Sequence, residues 1–441
     1  MTTHQTPPPE AAGQRYLVVS TDSHVGPPIE AYRPYCPSAY LEKFDEAAIA
    51  ANEAKGPPGR TFETLARKAL GLKSVDPGVL AAAERANLVA GQWDPDARRA
   101  DMDKDGVAAD VIFHGTMNGE QLPFVADALF AASSDFDPEL EALGCRMYNQ
   151  WLADFMSGAP HRHVGLAYIP WSDIDRAVAE MQWAREAGLR GINFPAPNAK
   201  RPYYTDPRYE PIWAAAADLE MPLATHTGGG DRWNYDDGVY GQAFQKMELG
   251  FVARRGIWQM MLSGVFERHP KLKLVMTEIY AAWVNEMLRD LDYAYVDPIN
   301  PPIRERVPKL PSEYWLTNCF VAASFLSHDE ALLYPDRGAV NLMWGSDYPH
   351  VEGTHPYTRL SLQTTFAGIR PDYVRPMIGG TAVEVYGLDG DKLAAVAAEI
   401  GPTVEELSRE PEDRPDSTYM GYGFRKGSAW PAAAYREARA S

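Results

Sequence analysis

The stretch YLVVSTDSHVGPP, Tyr16 to Pro28, places an acid and an imidazole two residues apart, Asp22 and His24, where an apolar, β-branched run gives way to a Gly-Pro-Pro turn. Side chains alternate along a strand, so these two project to the same side. A carboxylate and a neutral imidazole aimed at one point suit a divalent cation. Alone, the pair reads first as an ordinary Asp–His hydrogen bond or a turn-capping Asp. Other apolar runs end the same way: His114, Asn193, His226, Glu278 and Asp347 stand at their carboxyl ends, and His328 and His350 lie just beyond. The chain has 10 histidines. That so many fall at these positions, beside acids, favours metal binding over chance. HTGGG (His226 to Gly230) lacks the GK[ST] of a phosphate loop, and its glycines read as a sharp turn or a close backbone approach. No G-x-S-x-G occurs, so serine hydrolase chemistry has little support.

Eight apolar runs supply these ends: YLVVST, ADVIFHG, HVGLAYIP, LRGINFP, MPLATH, LKLVMTE, YWLTNCFVA and VNLMWGSD. Amphipathic stretches separate them, such as Asp173 to Ala187, Tyr209 to Glu220 and Ala281 to Leu291. In the last, Trp283, Val284, Met287, Leu288 and Leu291 share a helical face. Strands buried on both sides read as near-continuous apolar runs, and eight alternating with helices predict an α/β fold, a (β/α)8 TIM barrel spanning residues 16–390. Residues 1–15 read as a disordered arm, 30–100 as a helical insertion after strand 1 lying over one barrel mouth, and 391–441 as a C-terminal extension packed on a neighbouring surface, with a homo-oligomer expected.

The formal net charge of −18 repels nucleic acid and anionic membranes. No apolar run is long enough to span a bilayer, and the N-terminus has no basic-then-apolar signal pattern. Cys36, Cys145 and Cys319 are widely spaced and odd in number, which disfavours a disulfide framework and fits a cytoplasmic setting.

The motifs TDSHVGPP, GLRGINFPAP, PLATHTGGG, HPKLKLVMTEIYAAWV, MWGSDYPHVEGTHP and IGGTAVEVYGLD follow one another over roughly Tyr16 to Asp389. In that order they resemble the amidohydrolase-related, metal-dependent TIM-barrel family, which includes decarboxylases of carboxymuconate semialdehyde and resorcylate type. The resemblance implies metal ligands at Asp22, His24, His226 and Asp347. Two positions depart from it. Glu278 stands where the decarboxylases carry a strand-six histidine, and Thr381 replaces the Asn of a late GGNA motif. A Glu beside a divalent ion is held ionised and becomes a good ligand and a poor acid.

With Glu278 counted as a ligand, the acids and imidazoles suit two ions, filled out by His328 or His350. In this form the motifs are similar to a branch of nonheme diiron monooxygenases of diterpenoid secondary metabolism. That likeness implies an oxidoreductase using two Fe2+, O2 and an electron donor of unknown identity, and hydroxylating a hydrophobic, terpenoid-like acyl group held as its coenzyme A thioester. Glu278, His328 and His350 are then the catalytic residues. The alternative is a mononuclear Zn2+- or Mn2+-dependent hydrolase or nonoxidative decarboxylase. Arg254 and Arg255 read first as the solvated basic end of an amphipathic helix; their other use, with Lys200 and Arg201 as a second pair, is to hold coenzyme A phosphates. Asn193 and His114 are further substrate-facing candidates.

Overall fold

The computed structural model describes residues 14–55, 61, 63, 77–115, 118–125, 137–198, 201–230, 238–299, 301–337 and 341–412. The predicted arm up to residue 13, Lys200 and the tail from residue 413 lie outside them. Eight parallel strands follow in chain order, β1 (Val19–Val25), β2 (Ala109–His114), β3 (His163–Ala167), β4 (Gly191–Asn193), β5 (Leu223–His226), β6 (Leu274–Thr277), β7 (Cys319–Ser324) and β8 (Leu342–Gly345). Every described strand residue is buried. The ends of β8 and β1 meet through Asp347 N–H to Asp22 O (3.0 Å) and His24 N–H to Tyr348 O (2.6 Å). The predicted (β/α)8 barrel is the fold.

Alternation along the strands divides the core in two. Val19, Val111, Phe113, Leu166, Ala224, Val275 and Met343 fill the barrel, over a floor that includes Val385, Tyr386 and Leu393. Ile112, Ile192, Val321 and Trp344 instead pack outward with the helices. The helix Ile174–Glu186 begins where Asp173 accepts the Arg176 N–H, and Val284–Val296 buries Val284, Leu288 and Leu291 as its periodicity predicts.

Two boundaries differ from the sequence reading. Tyr314 to Asn318 were expected to open the seventh strand but end the helix Pro311–Asn318. Pro311 takes a first-turn position, where its missing N–H costs nothing, and the Glu313 carboxylate accepts the Leu310 N–H at 2.8 Å. β1 runs from Val19 to Val25 rather than over YLVVST, which keeps Asp22 and His24 at its carboxyl end. Its pairing with β2 shifts register between Ser20 and Ser23. Among the described residues, no helix is long and apolar enough to cross a membrane. The three cysteines are buried and free.

Candidate metal centre

At the carboxyl end of the barrel, side chains from β1, β5 and the β8 terminus converge. His24 Nε2 lies 3.3 Å from Asp22 Oδ1 and 3.2 Å from Asp347 Oδ1, and His226 Nε2 lies 3.4 Å from Asp22 Oδ1. Donors held about 2.0–2.2 Å from one ion sit roughly 3–3.6 Å from each other, so these spacings suit a shared cation. All four side chains are buried, and Asp22 Oδ1, both His24 ring nitrogens, His226 Nε2 and both Asp347 oxygens lack hydrogen-bond partners. Buried polar atoms are normally satisfied, so this cluster calls for a ligand.

The surrounding groups orient the donors. His226 Nδ1 lies 2.7 Å from Thr227 O, which fixes the tautomer that leaves Nε2 a lone pair. Ser324 Oγ–H donates to Asp22 Oδ2, leaving Oδ1 for the centre. Asp347 and Glu278 both adopt left-handed backbone, φ 54° and 57°, which turns them off their strand ends. Gly345 is required beneath Asp22, because a Cβ there would lie 2.7 Å from Asp22 Cβ.

The mouth is rich in acid, and its charges perturb one another. Burial alone would lower the His226 pKa, yet Glu278 and Asp22 lift it to about 9. Burial likewise opposes the charge on His350, and Asp347 raises its pKa to about 9. Burial pushes Glu278 well above the usual carboxylate range. His24 is lowered, by burial and then by His350. Asp22 is lowered because His226 and His24 outweigh its burial. The cluster therefore attracts positive charge, which a divalent ion supplies in place of protons. Its donors fit a metal of the Mn2+ or Zn2+ type.

The remaining candidates fall at different places. His350 stacks on His24 with centroids 4.1 Å apart, its Nδ1 2.8 Å from Asp347 Oδ1 and its Nε2 3.3 Å from Gly115 O. Glu278 Oε2 lies 3.4 Å from His226 Nδ1, the nitrogen turned away from the centre. Glu278, Asp347, His350 and Glu352 form a neighbouring acid-rich group. Glu352 escaped the sequence reading, although its place two residues after His350 was a usable signal. His328 lies outside the clustered donors, its Nδ1 2.8 Å from Thr365 O at the start of the helix His328–Arg337. His114 packs edge-on against Tyr148 and is held at a pKa of about 3 by burial and by His24. Asn193 is the buried last residue of β4. Arg254 stacks on Trp283, 4.3 Å from ring centroid to guanidinium carbon, and burial lowers its pKa to about 10. Arg255 reaches Phe251 at 6.0 Å, and Arg201 faces Glu141 at 3.7 Å.

Residues 85–388 match the Amidohydrolase family (Amidohydro_2), and the chain belongs to it. The γ-resorcylate decarboxylase of Rhodococcus jostii (strain RHA1) is 29% identical over 231 residues, 48% of this chain and 67% of that protein. The 5-carboxyvanillate decarboxylase of Sphingomonas paucimobilis superposes with a TM-score of 0.57 at 20% identity, covering 84% of this chain and 99% of the other. A dihydroxybenzoic acid decarboxylase of Polaromonas sp. JS666, solved with manganese and 2-nitroresorcinol, gives 0.54 at 16% identity, covering 85% and 98%.

These relatives overturn the oxygenase expectation. They are decarboxylases, one of them holding manganese, so the two irons, O2, the electron donor and monooxygenase chemistry are set aside, together with the diterpenoid branch. The coenzyme A-linked acyl substrate finds no support among them either. Glu278, expected as a ligand because it replaces a histidine, faces the outer nitrogen of His226 and groups with Asp347, His350 and Glu352.

Proposed function

We propose that this chain is a mononuclear Mn2+- or Zn2+-dependent nonoxidative decarboxylase of a small hydroxylated aromatic acid. The observation that carries this reading is the set of four converging, otherwise unpartnered donors on Asp22, His24, His226 and Asp347. The kinship with γ-resorcylate decarboxylase supports the substrate class. The ion, when bound, supplies a Lewis acid that neutralises the substrate's carboxylate and adjacent phenolic oxygen.

The chain's own residues do the rest. Phe113, buried and edge-on to His226 at 4.9 Å, supplies an apolar wall beside the donors. His350, with Nδ1 2.8 Å from Asp347 Oδ1 and Nε2 3.3 Å from Gly115 O, serves as the proton reservoir of the mouth. The bond from ring carbon to carboxylate breaks, its electron pair takes up a proton, and CO2 leaves. Glu278 and Glu352 border the same space, and Glu352 adds to the charge of Asp347 that keeps His350 protonated.

The test is turnover of γ-resorcylate and 5-carboxyvanillate by manganese-loaded protein in D2O under argon. One CO2 per product and one deuterium at the vacated ring carbon are expected. Product that forms only with O2, or acid substrates that all stay intact while the manganese is bound, would overturn the proposal.

A further inference from the structure

One buried cation beneath the centre is not accounted for by the donors or by the chemistry above. Arg98 lies on the helix Pro95–Asp105, which starts at an Asp94 cap and ends at left-handed Gly106. Its side chain is fully buried. Nε–H donates to Asp110 Oδ2 at 2.7 Å, Nη1 to His24 O at 2.8 Å and Gly91 O at 3.2 Å, and Nη2 to Ser23 Oγ at 2.7 Å. The guanidinium also lies over the Tyr348 ring, 5.0 Å from its centroid.

Three of these partners belong to or adjoin metal donors. His24 is a donor, Ser23 sits between Asp22 and His24, and Tyr348 follows Asp347. Tyr348 O accepts the His24 N–H, and its hydroxyl donates to Asp101 Oδ2 at 2.8 Å, one turn beyond Arg98 on the same helix. A single guanidinium thus braces the β1 end and the β8 terminus together. It does so where β1 slips register against β2, the place where strand pairing alone leaves the backbone least determined. Its fork has fixed geometry, which a lysine ammonium cannot reproduce. Asp110, which also lies 2.8 Å from His163 Nδ1, anchors the fork to β2. At Gly91 any side chain would collide with the Tyr348 hydroxyl, so the loop is shaped to let Arg98 and Tyr348 meet.

We infer that Arg98 is a positioning residue of the metal centre, locking the carboxyl ends of β1 and β8 so that Asp22, His24 and Asp347 present their donors to one ion. The inference rests on the metal reading of those donors and is independent of decarboxylation.

The test is Co2+ titration of the metal-free full chain, followed by visible absorption and by the dissociation constant, with melting temperature recorded alongside. Wild-type protein is measured first; a failure to bind Co2+ there would sink the metal reading itself. Arg98→Lys is expected to weaken Co2+ binding by about 10- to 100-fold and to alter the absorption band. Ser23→Ala, a small change that removes one acceptor of the fork, should weaken binding in the same direction by a smaller factor. Leu152→Ala destabilises a buried site in the outer core and should lower the melting temperature while leaving the band and the affinity unchanged. Should Arg98→Lys fail to fold, Ser23→Ala decides against the Leu152→Ala control. Wild-type spectra and affinity in the folded Arg98 and Ser23 variants would overturn the inference. So would affinity losses that merely follow melting temperature across all three.

Discussion

Glu278 was expected to be a metal ligand, and its position beside His226 opens that role to test. Its carboxylate lies 3.4 Å from His226 Nδ1 while His226 Nε2 faces Asp22, so it stands behind a donor. Glu278→Gln should therefore keep one manganese per chain and lower kcat by about 10²- to 10⁴-fold, by disturbing the proton inventory of the mouth. Metal analysis beside turnover checks this, and loss of the ion would make Glu278 a ligand after all. His114 allows a prediction on stability. Burial and His24 hold its pKa at about 3 in the folded protein, below the unfolded value of 6.5. The unfolded chain therefore binds the proton more readily. The resulting penalty is absent above pH 6.5, grows as pH falls, and levels off near pH 3. At pH 4.5 it amounts to about 2–3 kcal/mol. Chemical denaturation at pH 7 and pH 4.5 should show the wild type losing that much more stability than His114→Phe; parallel losses would contradict the assignment.

At the scale of the elements, the strands were legible because a sheet buried on both faces must be largely apolar, as ADVIFH and LVMT are. Asp22, His24, His226 and Asp347 were among the residues read at strand ends, where a barrel gathers its chemistry, and the family resemblance singled out these four. Tyr314 to Asn318 misled because aromatic and β-branched residues suit a strand, whereas the Glu313 cap and Pro311 commit them to a helix. Arg98 acquires its meaning only through contacts distant in sequence, and the orientation of Glu278 depends on a positive φ that no composition announces. The junction of β8 with β1 makes a sharp prediction. Gly345→Ala would place a Cβ 2.7 Å from Asp22 Cβ and 2.9 Å from Ser324 Oγ, forcing apart the strands that bring the donors together. Manganese affinity should fall by at least about tenfold with a lower melting temperature. Unchanged affinity in a folded variant would mean that the strand spacing does not set the donor geometry.

At the scale of the molecule, the eight-stranded barrel gathers residues from Asp22 to Asp347 onto one rim, and decarboxylases are among the proteins it resembles in sequence and in fold. Two ions had been inferred from a count of acids, and iron and O2 from a likeness of motifs; a count cannot say which face of a donor each acid meets. The central claim is that one ion, held by four donors, suffices for nonoxidative loss of CO2. It is tested by adding Mn2+ stepwise to metal-free protein under argon and following CO2 release from γ-resorcylate and 5-carboxyvanillate. The rate should rise linearly and level off at one manganese per chain, with no response to admitted O2. A plateau reached only at two ions per chain, or turnover that waits for O2, would contradict the account.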